Sequence, residues 1–236
     1  MNDFKIPDFS LTNLNISIVE IAGFLLIASV IATLLYESKK RIVNTSGDSM
    51  KPTIPNPGLV EADQNYYKNF QPRIGDIVCI SFNPQWAQDL INTNIFYYEN
   101  IWKLGKLNEK QREQIAKEIY NNSLVKGLAC LEKRIRAVPF NKIEFRNGYL
   151  FIDGSNMHYK HNFFDIEQKQ ILRLTNNGII PNNYFLALSD NADVKNGFLV
   201  DSRVFGLINF KQLLERTTKL LKKTDKGEIK IEKYFS

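Results

Sequence analysis

The sequence predicts a mainly β fold: a domain of antiparallel sheet that follows an N-terminal transmembrane helix and carries a mostly helical insert. Three observations predict it. Residues 16–36, ISIVEIAGFLLIASVIATLLY, form an apolar run whose one charge is Glu20. From Val43 onward, short extended pieces are broken by Pro52, Pro55, Pro57-Gly58 and Pro72, and strand character returns after residue 128. Between these two regions lies a charged stretch in which Ile115, Ile119 and Tyr120 recur at helical spacing.

The apolar run comes first. Its 21 residues rise about 1.5 Å each as a helix, roughly the 30 Å of a hydrocarbon core. Residues 1–15, MNDFKIPDFSLTNLN, read as a leader without the positive charge of a cleavable signal peptide. A buried core helix is the alternative reading of the run. Lys39, Lys40 and Arg41 follow it while only Lys5 precedes it, which by the positive-inside rule places the rest of the chain in the cytoplasm.

The domain proper is set at residues 43–216. Strands are expected at 58–62 and 75–80, then an insert over 83–127 with Asn108 as a helix N-cap and Gly127 beyond the helix end. Further strands are expected at 129–139, 142–145, 150–152 and 184–188 and at Leu207-Ile208. Asn147-Gly148 is the turn of a hairpin. Leu213, Leu214, Leu220 and Leu221 predict a short amphipathic helix, and residues 217–236 are read as a C-terminal tail.

Composition narrows the function. The formal charge is +6 and the pI about 9.1, compatible with an anionic lipid surface. No Lys/Arg block has interleaved aromatics, and the richest cluster, 219–223, is short, so no nucleic-acid partner is expected. Cys79 and Cys130 form no C-x-x-C pair, and His158 and His161 fall in one polar stretch and read as solvated loop histidines. Neither a metal nor a cofactor is expected. The two cysteines are a disulfide in an oxidising compartment or buried thiols otherwise.

A reactive serine in this chain needs a base, and neither histidine has triad support. The other base available to serine is a lysine held neutral by burial, since arginine stays charged everywhere. Along the strand expected at 129–139, side chains alternate between faces. Leu131, Lys133, Ile135 and Ala137 therefore share one face, and Glu132, Arg134 and Arg136 the other. Lys133 is the one charge on the apolar face: either a buried base or a side chain that snorkels to water.

Gly47-Asp48-Ser49-Met50-Lys51-Pro52-Thr53 resembles the G-x-S-M-x-P-T nucleophile motif of the type I signal peptidases. Gly75-Asp76-Ile77-Val78 resembles their next box, and Lys133-Arg134-Ile135-Arg136-Ala137-Val138-Pro139 is similar to their lysine box. Asp201-Ser202-Arg203-Val204-Phe205-Gly206 resembles their D-S-R-x-x-G. The resemblance implies a Ser/Lys serine endopeptidase at the outer face of the bacterial inner membrane, removing signal peptides from exported precursors after small residues. It implies Ser49 as nucleophile and, through its backbone N–H, as oxyanion donor. Lys133 would be the general base, with Asp201, Ser202 and Arg203 supporting it. Partners would be precursor proteins and the lipid bilayer, with secretion or conjugation machinery.

The chain departs from that pattern at three places. Gly47 stands where some relatives carry a serine that adds an oxyanion donor, Ser189-Asp190-Asn191-Ala192-Asp193 replaces G-D-N-R-D, and Leu199 replaces a serine that often bonds the lysine. The insert, the cysteines near its ends, Leu131-Glu132-Lys133-Arg134 and the run from Phe185 to Asp190 resemble the conjugative-transfer branch, whose peptidases mature pilin-type substrates. A self-cleaving repressor shares the Ser/Lys arrangement, but the N-terminal apolar run and the lack of a helix-turn-helix segment in the sequence argue against it; a noncatalytic membrane-anchored scaffold is the alternative of another class.

Overall fold

The computed structural model describes residues 21–23, 25–27, 39–101, 105–121, 130–192 and 200–235. Alternating polar and apolar residues in short strands demand a sheet with covered faces. Eight strands meet that demand in the order β1-β2-β10-β3-β4-β8-β9, with β11 pairing β10. They are β1 (Lys40–Thr45), β2 (Gly58–Asp63), β3 (Ile77–Ser81), β4 (Cys130–Ala137), β8 (Tyr184–Leu188), β9 (Ile208–Asn209), β10 (Leu213–Lys223) and β11 (Ile229–Tyr234). A second sheet joins β5 (Ile143–Arg146), β6 (Tyr149–Ile152) and β7 (Ser155–Asn156). The pairings are antiparallel, and the domain is mainly β. The β5–β6 turn has Asn147 at φ +51° and Gly148 at φ +79°, the two left-handed positions that this residue pair adopts in tight hairpins.

Strand β4 shows the expected alternation: Lys133, Ile135 and Ala137 are buried, and Glu132, Arg134 and Arg136 are half-buried. Ile135 joins Val78, Ile80, Phe185 and Phe205 in the main core. The insert contributes to that core. It holds a 3-10 turn at Pro84–Trp86, α2 (Ala87–Phe96), a π turn at Tyr97–Ile101 and α3 (Glu109–Asn121), following α1 (Tyr66–Asn69) of the main domain. Asn108 caps α3 reciprocally with Gln111, each backbone N–H donating to the other's side-chain oxygen at 2.9 Å. Ile115 and Ile119 are the buried face of α3, and Trp86 stacks on Phe205 at 4.3 Å. Gly127 lies outside the described residues.

One expected element is of the other type. Residues 213–221 are not a helix but most of β10, hydrogen-bonded to β2, β3 and β11. The leucine spacing fits either a helical stripe or a strand covered on both faces. Thr217 and Thr218 favour the strand, and partners on both sides satisfy its backbone. Residues 217–236, expected as a tail, carry the second half of β10 and all of β11.

The chain divides into two units, Met1–Glu37 and Ser38–Ser236, and the sheets lie in the second. In the first, Ile21–Gly23 and Leu25–Ile27 are helical; the rest of the expected 16–36 span lies outside the described residues. Among the described residues, no helix is long and apolar enough to cross a membrane.

Cys79 of β3 and Cys130 of β4 are disulfide-bonded, with Cα atoms 5.5 Å apart and a sequence separation of 51. The bond closes the insert at its base. Cys79→Ala with Cys130→Ala is expected to lower unfolding free energy by about 4 kcal/mol, the chain-entropy value for a loop of that length. Urea unfolding checks it. The midpoint should fall while the slope rises, because an uncrosslinked unfolded chain exposes more surface.

Candidate active site

Beyond Thr45 the chain leaves β1 and turns through Gly47, whose φ of +101° lies in the region that favours glycine. The turn ends at Ser49. Met50 and Ile54 hold it from below, both buried in a small core with Val60, Ile77 and Leu220, and the Ile54 N–H donates to the Met50 carbonyl at 2.9 Å. Asn191 holds it from the side. Its backbone N–H donates to the Ser49 carbonyl at 2.8 Å, and its Nδ2 to the Asp48 carbonyl at 3.1 Å.

Lys133 enters from β4, 3% exposed. Its Nζ donates to Ser49 Oγ at 3.1 Å and to the Glu132 carbonyl at 2.7 Å. Burial pushes the amine down from 10.5 to about 8; Asp201 and Glu132 oppose the fall, and Arg203 adds to it. With the amine neutral, the same short line lets Nζ accept the serine proton. The apolar face of β4 thus resolves the choice left by the sequence: Lys133 does not snorkel.

Three consecutive residues after β8 assemble the surroundings. Ser189 turns inward, its N–H and Oγ donating to Asp201 Oδ2 at 3.0 and 2.8 Å. Asp190 turns to β4, where Arg134 donates to both its oxygens at 2.8 and 2.6 Å and Arg136 to one at 2.8 Å. Asn191 turns to the serine loop. Behind them Asp201 caps α5 (Ser202–Phe205) by accepting from the Arg203 N–H at 3.0 Å. The Arg203 guanidinium donates to Asp201 through Nε at 3.0 Å and Nη2 at 2.7 Å, with both residues 1% exposed. Ser202 Oγ accepts from the Ala187 N–H at 3.0 Å, tying α5 to β8. Asp201 and Arg203 therefore reach Lys133 by their charge.

Between β1 and β4 lies a cleft of about 380 Å³, lined among others by Arg41, Val43, Thr45, Ser49, Glu132 and Lys133. β1 and β4 stand four places apart in the strand order, so the sheet curls until they face each other. Cys79, Cys130 and Glu215 bring ligand atoms within 4.8 Å of one another. That trio is already committed, to the disulfide and to Arg41, which donates to both Glu215 oxygens at 2.9 and 2.7 Å.

Residues 18–221 match the family described as signal peptidase, peptidase S26. The chain belongs to that family. Signal peptidase IB of Staphylococcus aureus strains Mu50 and N315 is in each case 28% identical over 99 residues, which are 36% of this chain and 50% of the relative. The chain thus spans about half the length of the curated relatives it matches. A crystal structure of a signal peptidase I from Enterococcus faecalis V583 covers 61% of this chain and is itself 94% covered, with 17% identity and a TM-score of 0.32.

In this signal peptidase family member the structure brings Ser49 and Lys133 together and sets Asp201, Ser202 and Arg203 behind them. Leu199 and Asp193 lie outside the described residues. The sequence reading did not foresee what Ser189, Asp190 and Asn191 do. One signal was present: Arg134 and Arg136 on one strand face require an anion, and Asp190 supplies it. His161 is a correction. It is no solvated loop residue, because its side chain is 11% exposed and Nε2 lies 2.8 Å from Glu167 Oε2. Glu167 is fully buried, bonded also by the Tyr97 hydroxyl and the Phe164 N–H. Its partners come from the insert and from the segment before α4 (Asp165–Leu172), a convergence that no local pattern announces. His158 is exposed, as expected.

Proposed function

We propose that this chain is a membrane-anchored serine endopeptidase that removes signal peptides from exported precursors after small residues, with Ser49 as nucleophile and Lys133 as general base. The observation that carries this reading is the 3.1 Å contact between Lys133 Nζ, almost wholly buried, and Ser49 Oγ. Residues 16–36 anchor the domain of residues 43–216 at the outer face of the bacterial inner membrane. The Lys39-Lys40-Arg41 cluster, which argues for the opposite topology, has a role in the fold: Arg41 pairs with buried Glu215 and Lys40 lies 3.9 Å from Glu61.

The substrate enters as an extended strand along β1, which is an edge of the sheet and borders the cleft. Neutral Lys133 takes the Ser49 proton as Oγ attacks the carbonyl carbon, and the Ser49 N–H stabilises the oxyanion. Lysine returns the proton to the leaving amine, an ester remains, and water activated by the same amine hydrolyses it. Gly47 offers no side-chain donor here.

Processing of a signal-peptide precursor by membranes containing the protein tests the reading. Ser49→Ala and Lys133→Ala are each expected to leave the precursor uncut, and processing retained in either sinks the dyad. A serine-directed acylating probe that labels the parent but not Ser49→Ala separates an enzyme from a scaffold. A carboxy-terminal reporter found in the cytoplasm overturns the topology. Maturation of pilin-type substrates is the second reading, favoured by the disulfide-closed insert, and a pilin precursor in the same assay decides it.

A further inference from the structure

We infer that Glu132 is a specificity-determining residue whose carboxylate, in the wall of the cleft beside the dyad, receives a basic side chain lying within three residues of the cut. The inference rests on the peptidase reading above and narrows its substrate. It begins from the register of the sheet. Cys79 stands opposite Glu132 on one side and Glu215 on the other, so β10, β3 and β4 carry two carboxylates in one row on one face. Directly opposed residues sit about 5 Å apart. Glu132 and Glu215 are therefore about 10 Å apart at the backbone, with β3 between them, yet on one face, where the charge of Glu215 still acts on Glu132; each calls for a cation.

Only one of them has its cation. Glu215, 2% exposed, is held by the Arg41 fork. Glu132 receives one long hydrogen bond from Thr217 Oγ1, at 3.4 Å, and no salt bridge among the described residues. The adjacent ammonium does not serve it, because Lys133 Nζ is turned to the Glu132 carbonyl and to Ser49. With Arg41 and Glu215 cancelling, and with Lys133 neutral as its role of base requires, ionised Glu132 is the charge in this wall that has no salt bridge among the described residues. Burial pushes the Glu132 carboxyl up to about 7, and Glu215 adds to the rise while Lys133 and Thr217 oppose it.

A charge held in that condition discriminates. A lysine or arginine of the substrate supplies the counterion, whereas an acidic side chain meets two carboxylates and is rejected. Reach sets the position. Glu132 is one residue, about 3.4 Å, from the catalytic lysine along β4 and leaves the strand on its other face, yet both line the cleft, and an extended substrate likewise sends successive side chains to alternate sides. A basic side chain within three residues of the cut spans the gap, while the small residues expected nearest Ser49 leave room for it.

The test uses the full-length protein in detergent micelles and a cleavable parent peptide. Lys, Gln or Glu is placed in turn at each of the three positions on either side of the cut. At one position kcat/KM is expected to be at least about tenfold higher for Lys than for Gln, and lowest for Glu. Glu132→Gln should bring that Lys/Gln ratio within about twofold of unity. The wild-type ratio should also rise between about pH 6 and 8, as Glu132 loses its proton. The other groups facing it are Arg41, Glu215, Lys133 and the Thr217 hydroxyl. Titration of Lys133 acts on both peptides alike and cancels.

A ratio near unity at every position, or one unchanged in Glu132→Gln, overturns the inference while cleavage itself still stands. Should the variant not fold, the wild-type ratio against pH decides, and a flat ratio overturns it. If no peptide is cut and the acylating probe does not label Ser49, the peptidase reading and this inference fall together.

Discussion

Lys133→Met is expected to fold, to be more stable than the parent below about pH 8, and to lose cleavage on the order of 10⁴-fold in kcat, as when an activating base is removed from a serine hydrolase. The two effects have one cause. The amine has been taken out of water, and its fall from 10.5 to about 8 corresponds to roughly 3 kcal/mol of penalty on the charged form. Methionine fills a similar volume without that penalty. The sign follows from proton counting. Between about pH 8 and 10.5 the unfolded chain binds a proton on this lysine that the folded chain does not, so wild-type stability rises with pH through that window. The advantage of the methionine variant is therefore largest below about pH 8 and shrinks above it. In the parent, kcat/KM should climb to a plateau as pH passes about 8, since at pH 7 only about a tenth of the amine is neutral. Thermal melts of both proteins from pH 6 to 10 and a pH–rate profile of the parent check this. A variant less stable at every pH, or a rate that falls as pH rises through 8, refutes it.

The position of Lys133 was legible because a strand has period two, and one cation among Leu131, Ile135 and Ala137 has a single physical meaning once that face is covered. The hairpin at Asn147-Gly148 and the cap at Asn108 were legible for the same kind of reason, since each depends on residues within three positions of one another. What could not be read depends on contacts between distant segments. The leucines of β10 satisfy helical and two-sided strand patterns equally, and only the pairing with β2 and β3 decides between them. Glu132 read as one charge on a polar face, because the carboxylate that crowds it, Glu215, is 83 residues further along the chain. His161 looked solvated for the same reason, its partner Glu167 being held by Tyr97 of the insert. Folding physics writes local periodicity into the sequence; the pairing of charges is written only in three dimensions.

Arg203→Leu and Asp201→Asn should each destabilise the protein by about 3–5 kcal/mol and should move the pH–rate profile in opposite directions. The stability loss follows from burial. Each residue is 1% exposed, and either substitution leaves its former partner buried without full compensation. Burial alone would raise the Asp201 carboxyl, but the charge and hydrogen bonds of Arg203, with the Ser189 N–H, hold it well below the usual carboxylate range. Its contribution is therefore complete at neutral pH and lost only in strong acid, as pH falls through the folded value. The pair acts on Lys133 through opposing charges: Asp201 raises the amine and Arg203 lowers it. Removing the arginine charge should make Lys133 harder to deprotonate and shift the alkaline rise in kcat/KM to higher pH. Removing the aspartate charge should shift it lower. A purely structural role would move both profiles the same way or not at all, so the pair of titrations separates scaffolding from electrostatic tuning. Because the two side chains bond each other directly, the double replacement Asp201→Asn with Arg203→Leu should cost less than the sum of the single changes. Its profile should lie nearer the parent's than either single variant's, because the charges it deletes act on the Lys133 amine with opposite sign.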